Sequence, residues 1–308
     1  MSQLTATEWI WRDGAFVPWA DCNIHLLSHS VQYGSAIFEG VRCYATPKGP
    51  AIFRLREHME RLLGSAKVYR FEMKYTLDDL VQAARSVVVK NNMEACYLRP
   101  MVLRGYGASS MVPFASPVEV FIPCWPYGAY LGDGAHENGV DACISSWMRV
   151  APNTIPTMAK IAGNYLSGML IKMQALADGY AEAIAMGPDG KLSESSGANT
   201  FLVKNGAIYT APVDASILPG ITRDCVMSLA KDLGIPVHER DLLRESVYLA
   251  DEVFFCGTAV EITPVRSVDR IPVGAGKPGP VTQALQQRFN DTTSGRIPDV
   301  HGWLTLAR

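Results

Sequence analysis

The chain has 308 residues, 48% of them hydrophobic and 19% charged, with a formal net charge of -2. That balance suits a globular protein with a substantial core and room for two domains, and it supplies no basic field to hold nucleic acid. No apolar run approaches the roughly 18 residues of a membrane span, the N-terminus lacks a charged-then-apolar leader pattern, and the seven cysteines include no CxxC pair. The expectation is a cytoplasmic protein with no membrane or nucleic-acid partner, no disulfide framework and no metal, acting on a small molecule.

In chain order, Arg42 to Ala45 alternates like a strand. Met59, Leu62, Leu63 and Ala66 recur at helical spacing, and Leu80, Ala83, Ala84, Val87 and Val88 do so after a Thr76 to Asp79 capping pattern. Runs at Tyr97 to Leu103 and Val118 to Pro123 read as strands, and the turn-rich stretch Pro126 to Gly134 reads as a linker. Beyond it, a helix is predicted from Tyr165 to about Asp178, stopped by Gly179. A second runs from Thr222 to about Leu233, stopped by Gly234-Ile235-Pro236. Asn205-Gly206, between Thr200 to Val203 and Ala207 to Thr210, is a hairpin signal. The division expected is a small N-terminal domain over 1–126, an interdomain loop over 127–137 and a large C-terminal domain over 138–308, in the α+β (mixed α/β) class.

Two residues carry the chemical reading. Lys160 ends the run Asn153-Thr154-Ile155-Pro156-Thr157-Met158-Ala159-Lys160, and Glu194 lies in Leu192-Ser193-Glu194-Ser195-Ser196-Gly197. A lysine that condenses with an aldehyde and a carboxylate that keeps a pyridine nitrogen protonated are what pyridoxal phosphate needs from a protein. Taken singly, a solvated lysine at an element end and an exposed glutamate after the Pro188-Asp189-Gly190 turn are far the commoner explanation. Leu218-Pro219-Gly220-Ile221-Thr222 enters a helix, so the amides of Ile221 and Thr222 could meet phosphate oxygens, unless Thr222 is a plain helix cap. Gly257-Thr258-Ala259, after the strand Val253-Phe254-Phe255, offers further amides, and Arg61 could be the cation if it is not merely a solvated helix-surface arginine.

Other chemistries fit worse. Gly187 to Lys191 and Gly274 to Lys277 lack P-loop spacing, His25 and His29 lack the glutamate of a zinc-protease helix, and there is no GxSxG elbow.

In register along nearly the whole chain stand Tyr33-Gly34 with Phe38-Glu39-Gly40-Val41-Arg42, Arg56-Glu57-His58-Met59-Glu60-Arg61-Leu62 and Tyr97-Leu98-Arg99-Pro100. They continue with Ala151-Pro152-Asn153-Thr154 to Lys160, Gly163-Asn164-Tyr165, Leu192-Ser193-Glu194, Leu218 to Asp224 and Gly257 to Val265. With these motifs the chain resembles the branched-chain amino acid aminotransferases of pyridoxal phosphate fold type IV. The resemblance implies a two-domain fold, its larger C-terminal domain a pseudo-barrel of strands with flanking helices that binds pyridoxal 5'-phosphate.

By that resemblance Lys160 binds the cofactor covalently and then moves the proton between substrate Cα and cofactor C4′, while Glu194 partners the pyridine nitrogen. Arg61, Ile221, Thr222 and Thr258 match phosphate-binding positions, Tyr165 a partner of the phenolic oxygen, and Gly197 and Leu218 contacts to the ring. Tyr97, Thr258 and Ala259 match the α-carboxylate site. Phe38, Gly40, Tyr33, Tyr127, Met111 and Tyr165 match the side-chain pocket, with Tyr33 and Met111 reaching in from a neighbouring subunit. Arg99, with Tyr33 and Tyr130, would take the second carboxylate of glutamate. A shared pocket implies a homo-oligomer, a dimer at minimum, with a trimer of dimers equally compatible.

Two departures, the segment Arg104 to Pro113 and Tyr127 where a tryptophan is frequent, lie near the pocket. The alternatives are therefore a D-amino acid or (R)-amine transaminase of the same fold, then 4-amino-4-deoxychorismate lyase, and from a different class a non-catalytic binding protein on this fold.

Overall fold

The structure is a computed structural model describing residues 4–108, 110–128 and 130–308. Met1 to Gln3 of the N-terminus, Ser109 of the 104–113 segment and Ala129 of the linker lie outside the described residues. The chain forms two compact units, neither contiguous in sequence. One comprises Met1–Gly128, Ala159–Gly163 and Asp291–Arg308, the other Ala129–Met158 and Asn164–Asn290. The mixed α/β class is the one expected. Among the described residues no helix is long and apolar enough to cross a membrane.

The first unit is built on helices Leu55–Val68 and Leu77–Lys90 and two five-stranded sheets. Leu55, Met59, Leu62 and Ala66 fall on one helical face and Leu80, Ala84, Val87 and Val88 on another, so each helix buries a stripe in a common core with Ile37, Val41, Ile52 and Leu98. The second helix opens with the capping pattern read in the sequence: the Thr76 hydroxyl accepts from the Asp79 amide at 3.2 Å while the Asp79 carboxylate accepts from the Thr76 amide at 2.9 Å.

One sheet runs in the order Ala15–Pro18, Trp9–Arg12, Val118–Ile122, Met101–Arg104, Ile37–Phe38; the other runs Leu304–Leu306, Gly49–Phe53, Val41–Thr46, Cys96–Leu98, Cys124–Trp125. The single strand expected over Tyr97 to Leu103 is thus two strands in different sheets. Pro100 has no N–H for a ladder, so pairing stops at Arg99-Pro100 and resumes on the other sheet. Two more passages change sheets, at Glu39-Gly40 and at Pro123. The three crossings are tied together, Glu39 N donating to Pro100 O at 2.7 Å and Arg99 N to Pro123 O at 3.0 Å. At these crossings the Arg99 guanidinium comes to lie over the Phe38 ring.

The second unit holds a nine-stranded mixed sheet, where the pseudo-barrel was expected. Two of its crossovers matter for the site. Helix Tyr165–Ala177 joins the parallel strands Val140–Ile144 and Glu182–Met186, and helix Ile221–Asp232 joins the parallel strands Ala207–Thr210 and Val237–Glu239. A parallel pair needs such a crossover, and each helix returns the chain with its amino end following a strand's carboxyl end. Strands Asn199–Lys204 and Ala207–Thr210 form the expected hairpin, with Asn205 and Gly206 both left-handed (φ 51° and 75°), the backbone of a two-residue type I′ turn.

Candidate active site

Lys160 belongs to the first unit and its backbone is pinned on two sides. Its N–H donates to Ser65 Oγ at 2.9 Å, fixing it to helix Leu55–Val68, and its carbonyl accepts from Phe38 N at 3.0 Å. The ammonium lies 4.8 Å above the Phe38 ring. Burial, and then the positive charge of Arg61, lowers it to about 8 from 10.5, with Glu39 offsetting only part. At pH 7 about a tenth of such an amine is neutral and able to attack a carbonyl, against about a thousandth or less of an ordinary lysine.

Around it is a buried charge cluster. Arg61 grips Glu39 with two bonds, Nε to Oε1 at 2.7 Å and Nη2 to Oε2 at 2.9 Å, and His58 Nδ1 meets Oε2 at 2.7 Å. Arg61 is therefore no solvated helix-surface arginine: its side chain is 15% exposed and that of Glu39 fully buried. Burial alone would raise the Glu39 carboxyl, yet Arg61 and His58 together, through charge and hydrogen bonds, outweigh it and hold the group well below the usual carboxylate range. Burial keeps His58 below its ordinary value despite Glu39 beside it, so the ring is neutral at pH 7 and donates from Nδ1.

Aromatic side chains surround the Arg99 guanidinium, which stands 4.9 Å from the Phe38 ring centre and 5.3 Å from that of Tyr97. Among the described residues its buried Nε finds no acceptor. An unpaired guanidinium donor in apolar surroundings suits an incoming carboxylate. Tyr97 packs 4.6 Å from Tyr127, and a Cβ built on Gly40 would overlap the Tyr97 hydroxyl, so only glycine seats that phenol. Within the same unit His29 joins Tyr33 and Met111, its ring packing 4.6 Å from Tyr33 and its Nε2 lying 3.2 Å from the Met111 carbonyl. Both are exposed, Met111 at 78%.

Within the second unit Glu194 is buried, not an exposed turn residue. Its Oε1 meets Arg149 Nη2 at 2.9 Å, and its Oε2 accepts from Asn199 Nδ2 and from the Leu218 amide, each at 3.1 Å. Tyr165 begins helix Tyr165–Ala177, which lies so close to the loop containing Gly197 that a Cβ on Gly168 would overlap Ser196 O. Helix Ile221–Asp232 starts from Gly220, so Thr222 is a buried second residue and not the cap. The helix's first backbone bond is Asp224 N to Gly220 O, leaving the amides of Ile221 and Thr222 without a carbonyl of their own helix at its positive end. Thr258 and Ala259 sit in the turn between strands Glu252–Gly257 and Glu261–Val268, where Glu261 has φ 53°. Tyr130 is exposed, 5.6 Å from the Lys172 ammonium.

Each unit thus gathers its share of the expected residues. The first offers an activated amine, a cation and aromatic walls; the second offers a caged carboxylate and a helix amino end. Within the first unit that amine suits an aldehyde carbon, and within the second the carboxylate and the helix amino end suit a pyridine nitrogen and a phosphate. Sequence reading gave no role to Glu39, His58, Arg149 or Asn199. A charged residue between Phe38 and Gly40 in an otherwise apolar run was the one local signal for Glu39; Arg149 carries none because Glu194 is distant in sequence, and Asn199 none because its strand position does not show which way its amide turns.

The model of the family described as amino-transferase class IV matches residues 36–268. A branched-chain-amino-acid aminotransferase of Escherichia coli (strain K12) is 51% identical over 298 residues, 96% of each chain. The crystal structure of an Escherichia coli branched-chain amino acid aminotransferase superposes with a TM-score of 0.97 at 50% identity, covering 98% of this chain and 100% of that one. A T.th. branched-chain amino acid aminotransferase complexed with N-(5'-phosphopyridoxyl)-L-glutamate gives 0.94 at 42% identity over 99% and 100%.

Proposed function

Since the chain belongs to the class IV aminotransferases, we infer that it transfers amino groups from branched-chain L-amino acids (leucine, isoleucine and valine) to 2-oxoglutarate. The products are branched-chain 2-oxo acids and L-glutamate, and the cycle is ping-pong. The family and the names of its relatives give the activity; the residue that carries it here is Lys160, a buried amine lowered to about 8. Bound pyridoxal 5'-phosphate supplies an aldehyde carbon to accept the amino group and a ring to draw electrons from the substrate's Cα.

The protein's own work is binding, orientation and proton movement. Lys160 takes the proton from substrate Cα and returns it at the cofactor's C4′ carbon, a transfer that a weakly basic, desolvated amine performs near neutral pH. Glu194 keeps a proton at the pyridine nitrogen, its carboxylate oriented by Arg149, Asn199 and the Leu218 amide. Arg61, Thr258 and the amides of Ile221 and Thr222 hold the phosphate, Tyr165 the phenolic oxygen, and Gly197 and Leu218 flank the ring.

Tyr97, with Thr258 and Ala259, receives the α-carboxylate. Phe38, Gly40 and Tyr127, joined by Tyr33 and Met111 of a second copy, wall an apolar pocket that accepts aliphatic side chains. When glutamate enters, the unsatisfied Nε of Arg99 meets its side-chain carboxylate, with Tyr33 and Tyr130 as hydrogen-bond donors. The complex of one relative with a phosphopyridoxyl-glutamate adduct supports glutamate as co-substrate.

A homodimer at minimum follows from this pocket. Exposed Leu166, Met169, Leu170, Met173 and Leu176 form a stripe on helix Tyr165–Ala177, a face that a second copy would cover. Seven free cysteines fit an enzyme of the reducing cytoplasm.

The test is a substrate panel with 2-oxoglutarate as acceptor. L-Leucine should turn over far faster than D-alanine or (R)-1-phenylethylamine, and Lys160→Ala should lose both turnover and the visible absorbance of the bound cofactor. Preference for either of the other amines, or full activity of the variant, would overturn the reading.

A further inference from the structure

We propose that Asn199 is a positioning residue that locks the carboxylate of Glu194 to the turn entering helix Ile221–Asp232, so that one amide sets both ends of the cofactor site. The inference rests on the cofactor reading above and adds a residue to it.

Asn199 is buried at the start of strand Asn199–Lys204, held in register opposite Cys256. Its Nδ2 donates to Glu194 Oε2 at 3.1 Å and to the Leu218 carbonyl at 3.0 Å. Both partners are acceptors, so the end of the amide facing them must be the NH2 group; the flipped amide would set an oxygen against two oxygens. The Leu218 amide in turn donates to the same Oε2 at 3.1 Å.

A closed ring results: the N–H and C=O of Leu218 are both engaged, one by Glu194 and the other by Asn199. From Leu218 only Pro219, with its fixed φ, and Gly220 intervene before the amide of Ile221 at the helix's amino end. The opposite side of the same side chain closes the path, because a Cβ built on Gly220 would overlap Asn199 Oδ1. Glu194 reads the ring nitrogen and Ile221 the phosphate, and a displacement of either is transmitted to the other through Asn199.

The experiment compares wild type, Asn199→Ala and Asn199→Asp, each as apoprotein and with added pyridoxal phosphate. Measured are the cofactor dissociation constant, the gain in Tm on cofactor addition, and the pH midpoint of the visible band. Loss of one hydrogen bond to a charged group should weaken cofactor binding roughly ten- to a hundredfold, and the Tm gain should shrink with it. The band's pH midpoint should move as well, since Glu194 is no longer held against the ring nitrogen. Asn199→Asp keeps the shape but opposes two carboxylates, so its effect should equal or exceed that of alanine.

Gly220→Ala should weaken the cofactor in wild type and add little in the Asn199→Ala background, where the obstructing oxygen is gone. Unchanged affinity and midpoint in both Asn199 variants would overturn the proposal, as would apoproteins destabilised as much as the holoproteins, which would make Asn199 a folding residue only. A wild type that shows neither band nor Tm gain would instead refute the cofactor reading itself.

Discussion

An ammonium penalised by burial more than a nearby carboxylate repays is a stronger acid than its exposed counterpart, and Lys160 is in that position. Its folded value, about 8, lies below the ordinary 10.5, so the charged form opposes folding. The opposition is complete below about 8 and is relieved as pH rises from there to 10.5, where the unfolded chain binds more protons than the folded one. The rate of pyridoxal phosphate capture by apoprotein, followed by absorbance, should therefore climb through pH about 8 and then level off. A rate flat across that range would show that the neutral amine is not limiting.

Glu39 is the opposite case: its folded value lies far below 4.5, so its contribution is present above that pH and declines as pH falls through it. Glu39→Gln would leave the Arg61 guanidinium without its balancing charge and should cost roughly 3–5 kcal/mol in urea unfolding at neutral pH, a gap that narrows on acidification below about 4.5. Equal stability of variant and wild type at pH 7 would disprove the ion pair's role.

Among the elements, helices announced themselves by periodicity and by their ends. The Thr76 capping box begins Leu77–Lys90 as read, and Thr76→Ala should lower stability by about 1 kcal/mol, measured by denaturant midpoint with the slope unchanged. A change under a few tenths would mean the box contributes little beyond water. Strand limits were less legible. The run Tyr97 to Leu103 is largely apolar, yet belongs to two sheets, because the missing N–H of Pro100 ends one ladder where the other can begin. Thr222 had the chemistry of a cap but sits inside the first turn, since the chain reaches helical geometry already at Ile221.

For the molecule as a whole, the exposed apolar stripe on helix Tyr165–Ala177 is the surface on which the proposed second copy is tested. Replacing Met169 and Met173 together by Glu should shift the mass measured by light scattering from a dimer or a larger even assembly to a monomer, with activity falling in parallel as Tyr33 and Met111 are withdrawn. Wild type that is monomeric and active at micromolar concentration would remove the shared pocket from the reading.

The sequence by itself determined the fold class, the helices Leu55–Val68, Leu77–Lys90, Tyr165–Ala177 and Ile221–Asp232, and the Asn205-Gly206 hairpin. All of these rest on local spacing or on motifs in fixed order, which need no knowledge of what lies across the fold. Only tertiary structure decided that Arg61 is bound to Glu39, that Arg149 and Asn199 cage Glu194, and that the amine of Lys160 is weakened. The physical reason is that burial and charge proximity act through space, between residues that can stand tens of positions apart, and a linear pattern carries no record of either.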